Sequence, residues 1–362
     1  MKKIAIILLL PILFCSCEHN ESIDKMTFAK IIGVDKLEEK IEITAGLNLP
    51  ESTKEDKPKS EAYFATAQTL AEGINIIDSI TDEKVFYGQL EVVLISEDCA
   101  RGGIIEILDY FVRTNDFRFD MPIAIVKGLT AKQMILSTED ISDQIKKMFS
   151  SNESVSTSGK VTLAELLEMI EDPFESPFLP FLELEEQGIA LKGYCVFEKD
   201  ALKEFANEEI STGINWLNQK IKKQIIVKNI DGSDLTLKLG NDKTKIDFDG
   251  ENFKIDISFK SEIIQSDGVI HEFDEQVREQ IVKEQNAQVY TIIKNTIEFL
   301  KQNKSDCASF GKSFSAKKGK ESKQYEENWE NEFLKYDCII NVESKVNPSK
   351  SASKPIKEKG NE

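Results

Sequence analysis

The chain has 362 residues, of which 40% are hydrophobic, and a formal net charge of −18 at pH 7. The hydrophobic content supports packed cores, and the length allows about two or three domains. The acidic charge argues against nucleic acid as a partner and against adhesion to anionic lipid headgroups, because both select basic protein surfaces.

The first segment in chain order has the features of a bacterial lipoprotein signal. Lys2 and Lys3 precede a mostly apolar stretch of eleven residues, 4–14, and Ser16 is the small residue required before a lipid-bearing Cys17. The alternatives are an ordinary secretory signal and a retained membrane anchor. Eleven residues interrupted by a proline are shorter than the roughly 20 needed to span a bilayer. We therefore expect cleavage between Ser16 and Cys17, with diacylglycerol on the Cys17 thiol.

Residues 17–27 are expected to form a polar tether between the lipid and the fold. Loss of the two signal lysines changes the net charge from −18 to −20, so basic residues would not hold the mature protein at a membrane. A single acyl chain binds a bilayer only marginally, and diacylglycerol supplies a second chain. The sequence thus predicts a protein held by lipid at the outer face of a bacterial membrane.

The next segments alternate between strand and helix patterns. Apolar residues at every second position on both sides of a polar link predict a β-hairpin. The run Val92-Val93-Leu94-Ile95 predicts a strand that is buried on both faces. The expected elements are hairpin strands over 28–34 and 41–49, a charged loop over 51–60, a helix over 66–80 and a strand over 85–95.

A second helix is expected from Ser96, which can cap it, to Arg113 at its negative end. Its inward stripe would consist of Ile104, Leu108 and Phe111, with Ile105 and Val112 beside them. A further strand is expected over 122–126. This strand–helix–strand pattern indicates a mixed α/β module.

The next segment contains two loops. Residues 150–159 are polar, and Thr162 with Glu165 then predicts a capping box at the start of a helix. The stretch 173–181 alternates proline and phenylalanine, and it is either a docking loop or a connection pinned to the fold by its aromatic rings. The second interpretation is favoured. A strand over 188–197 follows.

After residue 206 the pattern changes to that of an antiparallel meander with a long helix. Asp-Gly pairs at 231–232 and 249–250 are typical of turns between strands. The expected elements are a helix over 208–222, strands over 224–230, 235–239, 244–248 and 253–263, a helix from Asp274 to about 300, and a strand over 334–342.

Residues that could perform chemistry are few. The two histidines, His19 and His271, lie in no nucleophile context, and the chain has no phosphate-binding, dinucleotide-binding or zinc-protease motif. We therefore expect no catalytic activity, no cofactor and no metal. The remaining cysteines form no CxxC pair and lie in apolar runs, which favours buried small hydrophobes and leaves a disulfide as the alternative. They are Cys99, Cys195, Cys307 and Cys338.

Four blocks in order resemble the C subunit of spore germinant receptors, the GerAC lipoprotein family. They cover most of residues 17–346. The blocks are Cys17 with Phe28–Asp35; Val85–Leu90 continuing to Gly103, Leu108 and Arg113; Gly193–Phe197 with Gly213 and Trp216; and Asp306, Phe310, Gly311 and Trp329. The chain departs from the family pattern at Glu18-His19, at Cys195 and Cys307, and at the closing strand, which lacks a final glycine.

The resemblance implies a non-catalytic subunit on the outer face of the spore inner membrane. Such a subunit works with membrane-embedded A-type and B-type subunits in triggering germination by nutrients. Within the strongest block we expect Gln89, Glu91, Glu97 and Arg113 to form a polar surface for a partner subunit. The alternative is a solute-binding lipoprotein of an ABC transporter, which shares the signal and the length but requires two doubly wound lobes.

These patterns together predict an α+β fold with more than one domain. The expected division is a signal over 1–16, a tether over 17–27, an N-terminal α/β module over 28–206 that could divide near 130, a C-terminal α+β domain over 207–346 and a disordered tail over 347–362.

Overall fold

A computed structural model describes residues 27–49, 60–138, 140–151, 157–221, 223–230, 232–266 and 275–347. The predicted signal with Ser16 and Cys17, the tether before Thr27, the proposed cap Asp274 and the tail after residue 347 lie outside the described residues. Within these residues, the strands form one sheet of nine and one of four.

The large sheet contains β1 (Thr27–Leu37), β2 (Lys40–Asn48), β3 (Ser60–Ala67), β4 (Val85–Phe86), β5 (Val92–Ser96), β6 (Ile123–Val126), β7 (Phe178–Glu185), β8 (Gly188–Glu198) and β9 (Ala201–Phe205). The small sheet contains β10 (Gln224–Ile230), β11 (Ser233–Phe248), β12 (Phe253–Ser266) and β13 (Cys338–Asn347).

The helices are α1 (Leu70–Ile80), α2 (Glu97–Arg101), α3 (Ile105–Arg113), α4 (Ala131–Leu136), α5 (Ile141–Ser151), α6 (Leu163–Glu171), α7 (Glu208–Leu217), α8 (Glu275–Gln302), α9 (Phe310–Lys318) and α10 (Trp329–Glu332). Turns of 3-10 helix cover Gly319–Asn328 and Phe333–Lys335.

The large sheet has the order β3-β2-β1-β5-β6-β7-β8-β9, with β4 beside the start of β1. Strands β1, β5, β6 and β7 are parallel, whereas the outer pairs are antiparallel. In the small sheet, β10, β11 and β12 form the expected antiparallel meander, and β13 returns parallel to β12. The α+β class predicted from the sequence is confirmed.

The hairpin of β1 and β2 is confirmed, but the helix predicted from residue 66 begins later. Thr66 and Ala67 belong to β3, where they pair with β2 opposite Glu42 and Ile41. The helix starts at Leu70, after Thr69, whose side chain accepts a hydrogen bond from the Glu72 amide at 3.2 Å. Pairing with an existing hairpin therefore determines the conformation of this segment. Strand β3 was missed.

The strand predicted over 85–95 is two strands. Strand β4 covers Val85 and Phe86, and a turn follows in which the Leu90 amide donates to the Tyr87 carbonyl at 3.0 Å. Strand β5 then begins at Val92 and is buried on both faces, as expected.

The helix predicted from Ser96 to Arg113 is broken into α2 and α3. Gly103 has φ = +107°, a left-handed conformation that favours glycine, and it lies beside the Asp200 carboxylate. Ile104, Leu108 and Phe111 are buried, as predicted. Ile105 and Val112 are 53% and 41% exposed, so the apolar stripe is narrower than the sequence indicated.

Further along the chain, the helix α6 has the predicted capping box of Thr162 and Glu165. In the C-terminal half, the bounds of the helices and strands differ more from the predicted ones. Helix α7 ends at Leu217 rather than at residue 222. The strands expected over 235–239 and 244–248 are one strand, β11, with a bulge between Gly240 and Lys243. Leu334 and Tyr336 precede β13 instead of lying in it.

Among the described residues, two hydrophobic cores lie on opposite faces of the large sheet. The smaller core contains Val92 and Leu94 with residues of α4 and α5, such as Met134 and Phe149. The larger core contains Val93 and continues without interruption into the small sheet and α8. Parallel strands that are covered on both faces have continuous apolar sequences, which explains the run at 92–95. The proposed domain boundary at 206/207 and the division near 130 stay predictions.

We expect Leu108→Ala to lower the free energy of unfolding by about 2–5 kcal/mol, because its side chain is buried and truncation leaves a cavity. Ile105→Ala on the same helix should change it by about 0.5 kcal/mol or less, because Ile105 is largely exposed. Urea unfolding of both variants tests this. Equal losses would contradict the assigned helix face.

Candidate partner-binding surface and buried junction

The four residues predicted to form a partner surface occupy separate places. Glu91 lies just before β5, and Glu97 follows its end, so the five-residue strand holds their Cα atoms roughly 20 Å apart. Gln89 is exposed in the turn before β5, whereas Arg113 ends α3. The structure therefore does not bring the four side chains into one patch.

Three of the four side chains have charged partners nearby. The Glu91 carboxylate meets Lys30 Nζ at 3.3 Å and Lys146 Nζ at 3.1 Å. Partial burial raises the pKa of Glu91, but the two lysines outweigh it and hold the pKa below its usual value. Glu97 pairs with Arg101 at 2.7 Å within α2. Glu91 and Glu97 thus stabilise local structure, and as a partner surface they stay a prediction.

Arg113 is the most available of the four. Its side chain is 76% exposed, and its Nε donates to Asp109 at 2.6 Å on the same helix face. It borders a groove of about 960 Å³ between the β1–β2 turn, the start of α1 and the outer face of α3. The groove walls include Lys36, Glu39, Gln68, Ile105, Asp109 and Arg113.

The groove carries both signs of charge around apolar side chains. The β1–β2 turn contributes both lysines and glutamates, and the helix contributes Glu106, Asp109 and Arg113. Ile105, which is 53% exposed, provides an apolar contact. A polar rim around apolar contacts is the composition of protein interfaces. This groove could not be found from the sequence, because its walls come from separate segments of the chain. The order of the strands in the sheet brings these segments together.

Asp35, which ends the opening motif, has a structural role. Its carboxylate accepts hydrogen bonds from the Ala131 amide at 2.6 Å and the Lys132 amide at 2.9 Å. Burial raises the pKa of Asp35, although these two amides act in the opposite direction. The side chain thereby satisfies amides at the start of α4 that have no partner within that helix.

Asp306 is the centre of the most elaborate buried network. Its carboxylate accepts hydrogen bonds from the amides of Ala308 at 3.2 Å, Phe310 at 3.1 Å and Gly311 at 2.6 Å, and from Trp329 Nε1 at 3.0 Å. Burial raises the pKa of Asp306 to about 6, whereas the four donors lower it. Phe310, Gly311 and Trp329 belong to the same family-like block as Asp306, and all three donate to its carboxylate.

The same loop joins the two sheets. The Asp306 amide donates to Ser176 Oγ at 2.9 Å, and the Ser176 amide donates to the Asp306 carbonyl at 2.8 Å. Phe174 packs against Trp329 with ring centroids 5.5 Å apart. A Cβ on Gly311 would lie 2.4 Å from the Phe174 carbonyl oxygen, so glycine is required by this close approach. The proline- and phenylalanine-rich stretch is therefore a pinned connection, and its second half is β7.

Other glycines of the family-like blocks also serve close packing. A Cβ on Gly193 would lie 2.4 Å from Ser211 Oγ, and one on Gly213 would lie 1.9 Å from Thr296 Oγ1. The first contact joins β8 to α7, and the second joins α7 to α8. Glycine at both positions therefore allows neighbouring elements to pack closely.

Within the described residues, the four remaining cysteines are free thiols, and burial raises the pKa of each. In the same part of the chain, no group of three or more His, Cys, Asp or Glu side chains could hold a metal ion. None of the helices that the structure describes is long and apolar enough to cross a membrane.

Comparisons with known families cover nearly the whole chain. Residues 19–184 match the model of the spore germination protein N-terminal domain. Residues 192–350 match the C-terminal model described as spore germination B3/GerAC like.

Individual relatives are distant. The chain is similar to the putative spore germination protein YfkR of Bacillus subtilis (20% identity over 63% of this chain and 65% of the relative). It is also similar to spore germination protein GerQC of Bacillus cereus (22% identity, 55% and 56%) and to spore germination protein KC of Bacillus subtilis (21% identity, 83% and 82%).

Among solved structures, the chain is similar to the crystal structure of the GerBC protein. The TM-score is 0.54 with 14% identity, and the match covers 87% of this chain and 96% of that chain. At this identity the likeness shows the fold alone.

Trp329→Phe removes one of the four donors to Asp306, and we expect it to lower the free energy of unfolding by about 1.5–3 kcal/mol, the range for hydrogen bonds to charged groups. Trp216→Phe is the matched control, since the Trp216 indole donates at 2.9 Å to the neutral Gln224 amide. Its loss should be about 0.5–1.5 kcal/mol. Denaturant unfolding measures both, and a smaller loss for Trp329→Phe would contradict the central role of Asp306.

Proposed function

Because this chain belongs to the GerAC family of spore germination proteins, we propose that it is a non-catalytic, lipid-anchored C-type subunit of a nutrient germinant receptor. The tandem match of an N-terminal and a C-terminal family model is the observation that carries this proposal. In this function the protein assembles with membrane-embedded A-type and B-type subunits at the outer face of the spore inner membrane.

The lipid anchor is supported by the sequence of the first seventeen residues. A basic start, an apolar stretch of eleven residues and Ser16 before Cys17 provide what lipoprotein processing requires. Two acyl chains on Cys17 hold a protein at a bilayer far more firmly than one chain does. The acidic net charge of the mature chain leaves the acyl chains as the main attachment.

The groove beside Arg113 is the candidate contact for a partner subunit. It is lined by groups of both charges and by exposed apolar side chains, so it suits a polar polypeptide segment better than a small apolar ligand. The solute-binding alternative requires two doubly wound lobes. The small sheet is instead an antiparallel meander with one parallel strand and a long helix, which differs from such a lobe.

The first experiment tests the anchor. We expect Cys17→Ala to move most of the protein from the membrane fraction to the soluble fraction, since no acyl chain can be attached, and to abolish nutrient-triggered germination. Cys15→Ala is the matched control, because Cys15 would be removed with the signal. Sedimentation and germination assays in spores measure both effects. Normal membrane sedimentation of Cys17→Ala would exclude the proposed anchor.

The second experiment tests the groove. We expect Arg113→Glu to leave the protein level unchanged, because the side chain is exposed, and to reduce co-purification of the membrane-embedded subunits. Lys294→Glu is a matched control, since Lys294 also belongs to an exposed ion pair between residues i and i+4 of a helix. Full recovery of the partners with Arg113→Glu would show that the groove is not their contact.

A further inference from the structure

We propose that one edge of the large sheet contacts the lipid bilayer through four apolar side chains. This edge, here called the amino edge, is the end of the sheet at which the parallel strands such as β1 begin, rather than an edge strand. Its side chains are Phe28, Ile80, Phe86 and Phe119. The inference rests on the proposed lipid anchor at Cys17 and adds an orientation to it.

The strand register places three of these residues at the same edge. Phe28 pairs with Phe86 at the start of β1, and their rings meet edge to face at 5.9 Å. Farther into the sheet, Ile32 pairs with Val93, which pairs with Ile123. Since β1, β5 and β6 are parallel, the residues before these positions lie at one end. Phe119 lies in the turn that leads into β6 at that end.

Ile80 belongs to the same edge through its connection. It ends α1, and the segment after it leads directly into β4. The Thr27 hydroxyl donates to Glu83 in this segment at 3.1 Å, which fixes the segment beside the first residue of β1.

Three of these four apolar side chains are exposed. Ile80, Phe86 and Phe119 are 52%, 45% and 47% exposed, and Phe28 is half-buried. Single exposed apolar side chains are normal on protein surfaces, but three at one edge form a candidate contact site. A Cβ on Gly88 would lie 2.6 Å from the Phe86 ring, so this ring lies against Gly88.

The position of the tether determines what covers the edge. Nine residues, 18–26, lie between the lipid-bearing Cys17 and Thr27, the first residue of β1, so the path from Cys17 to Thr27 is ten residues long. Ten residues span at most about 35 Å when fully extended, so the amino edge stays close to the bilayer. Aromatic and apolar side chains insert at the boundary between headgroups and acyl chains. Because the chain is strongly acidic, apolar contact rather than charge would favour this orientation.

The test uses tryptophan as a depth probe in the lipidated full chain. The two native tryptophans, Trp216 and Trp329, are only 0% and 2% exposed, so they contribute a shielded background. Phe86→Trp and Phe119→Trp place a probe at the amino edge. Ile225→Trp is the matched control, since Ile225 is also 45% exposed on a strand but lies in the small sheet. Each variant is reconstituted into phosphatidylcholine vesicles with or without bromine on the acyl chains.

We expect all variants to float with the vesicles and brominated lipid to quench and blue-shift Phe86→Trp and Phe119→Trp but not Ile225→Trp. Two edge variants are used so that misfolding of one does not decide the result. If the variants float but neither Phe86→Trp nor Phe119→Trp is quenched, the orientation is overturned while the anchor stays intact. Equal quenching at Ile225→Trp would also overturn it. Failure of the wild-type chain to float would overturn the anchor together with the inference.

Discussion

The carboxylate of Asp306 is the interaction on which the arrangement of the two sheets depends. Burying a carboxylate is unfavourable unless hydrogen bonds replace its hydration. Here three backbone amides and one indole provide them. The donors fix the start of α9 and position Trp329, and the backbone of Asp306 is bonded in both directions to Ser176. A single desolvated charge thus orders residues from both halves of the chain.

The aromatic cluster around this carboxylate extends the ordered contacts into the small sheet. Trp329 contacts Phe314, and Phe314 contacts Phe248 of β11. On the other side, Trp329 contacts Phe174, which leads into β7. The larger core continues through these rings, so a packed apolar contact connects one sheet to the other. A force applied to one sheet would therefore be transmitted through a packed and hydrogen-bonded connection.

Elements determined by neighbouring residues could be predicted from the sequence, and those determined by distant contacts could not. The hairpin of β1 and β2 and the capping box of Thr162 and Glu165 depend on local patterns, and both were found. Strand β3 was missed because pairing with β2 overrides its local pattern. Asp306 and Ser176 are separated by 130 residues, so no local pattern predicts their contact. Only the family resemblance drew attention to the segment around Asp306. The indole of Trp329, which needs an acceptor when buried, was the available chemical signal.

The fold also constrains how the proposed anchor and the proposed partner groove can act together. Strand β1 has eleven residues and extends about 35 Å from Thr27 to Leu37. The tether would reach the bilayer from the Thr27 end, whereas the β1–β2 turn that borders the groove lies at the other end. In this orientation the turn stands far outside the hydrocarbon core. A partner that fills the groove must therefore present a segment that projects well beyond the membrane surface, and the charged walls of the groove suit such a hydrated segment.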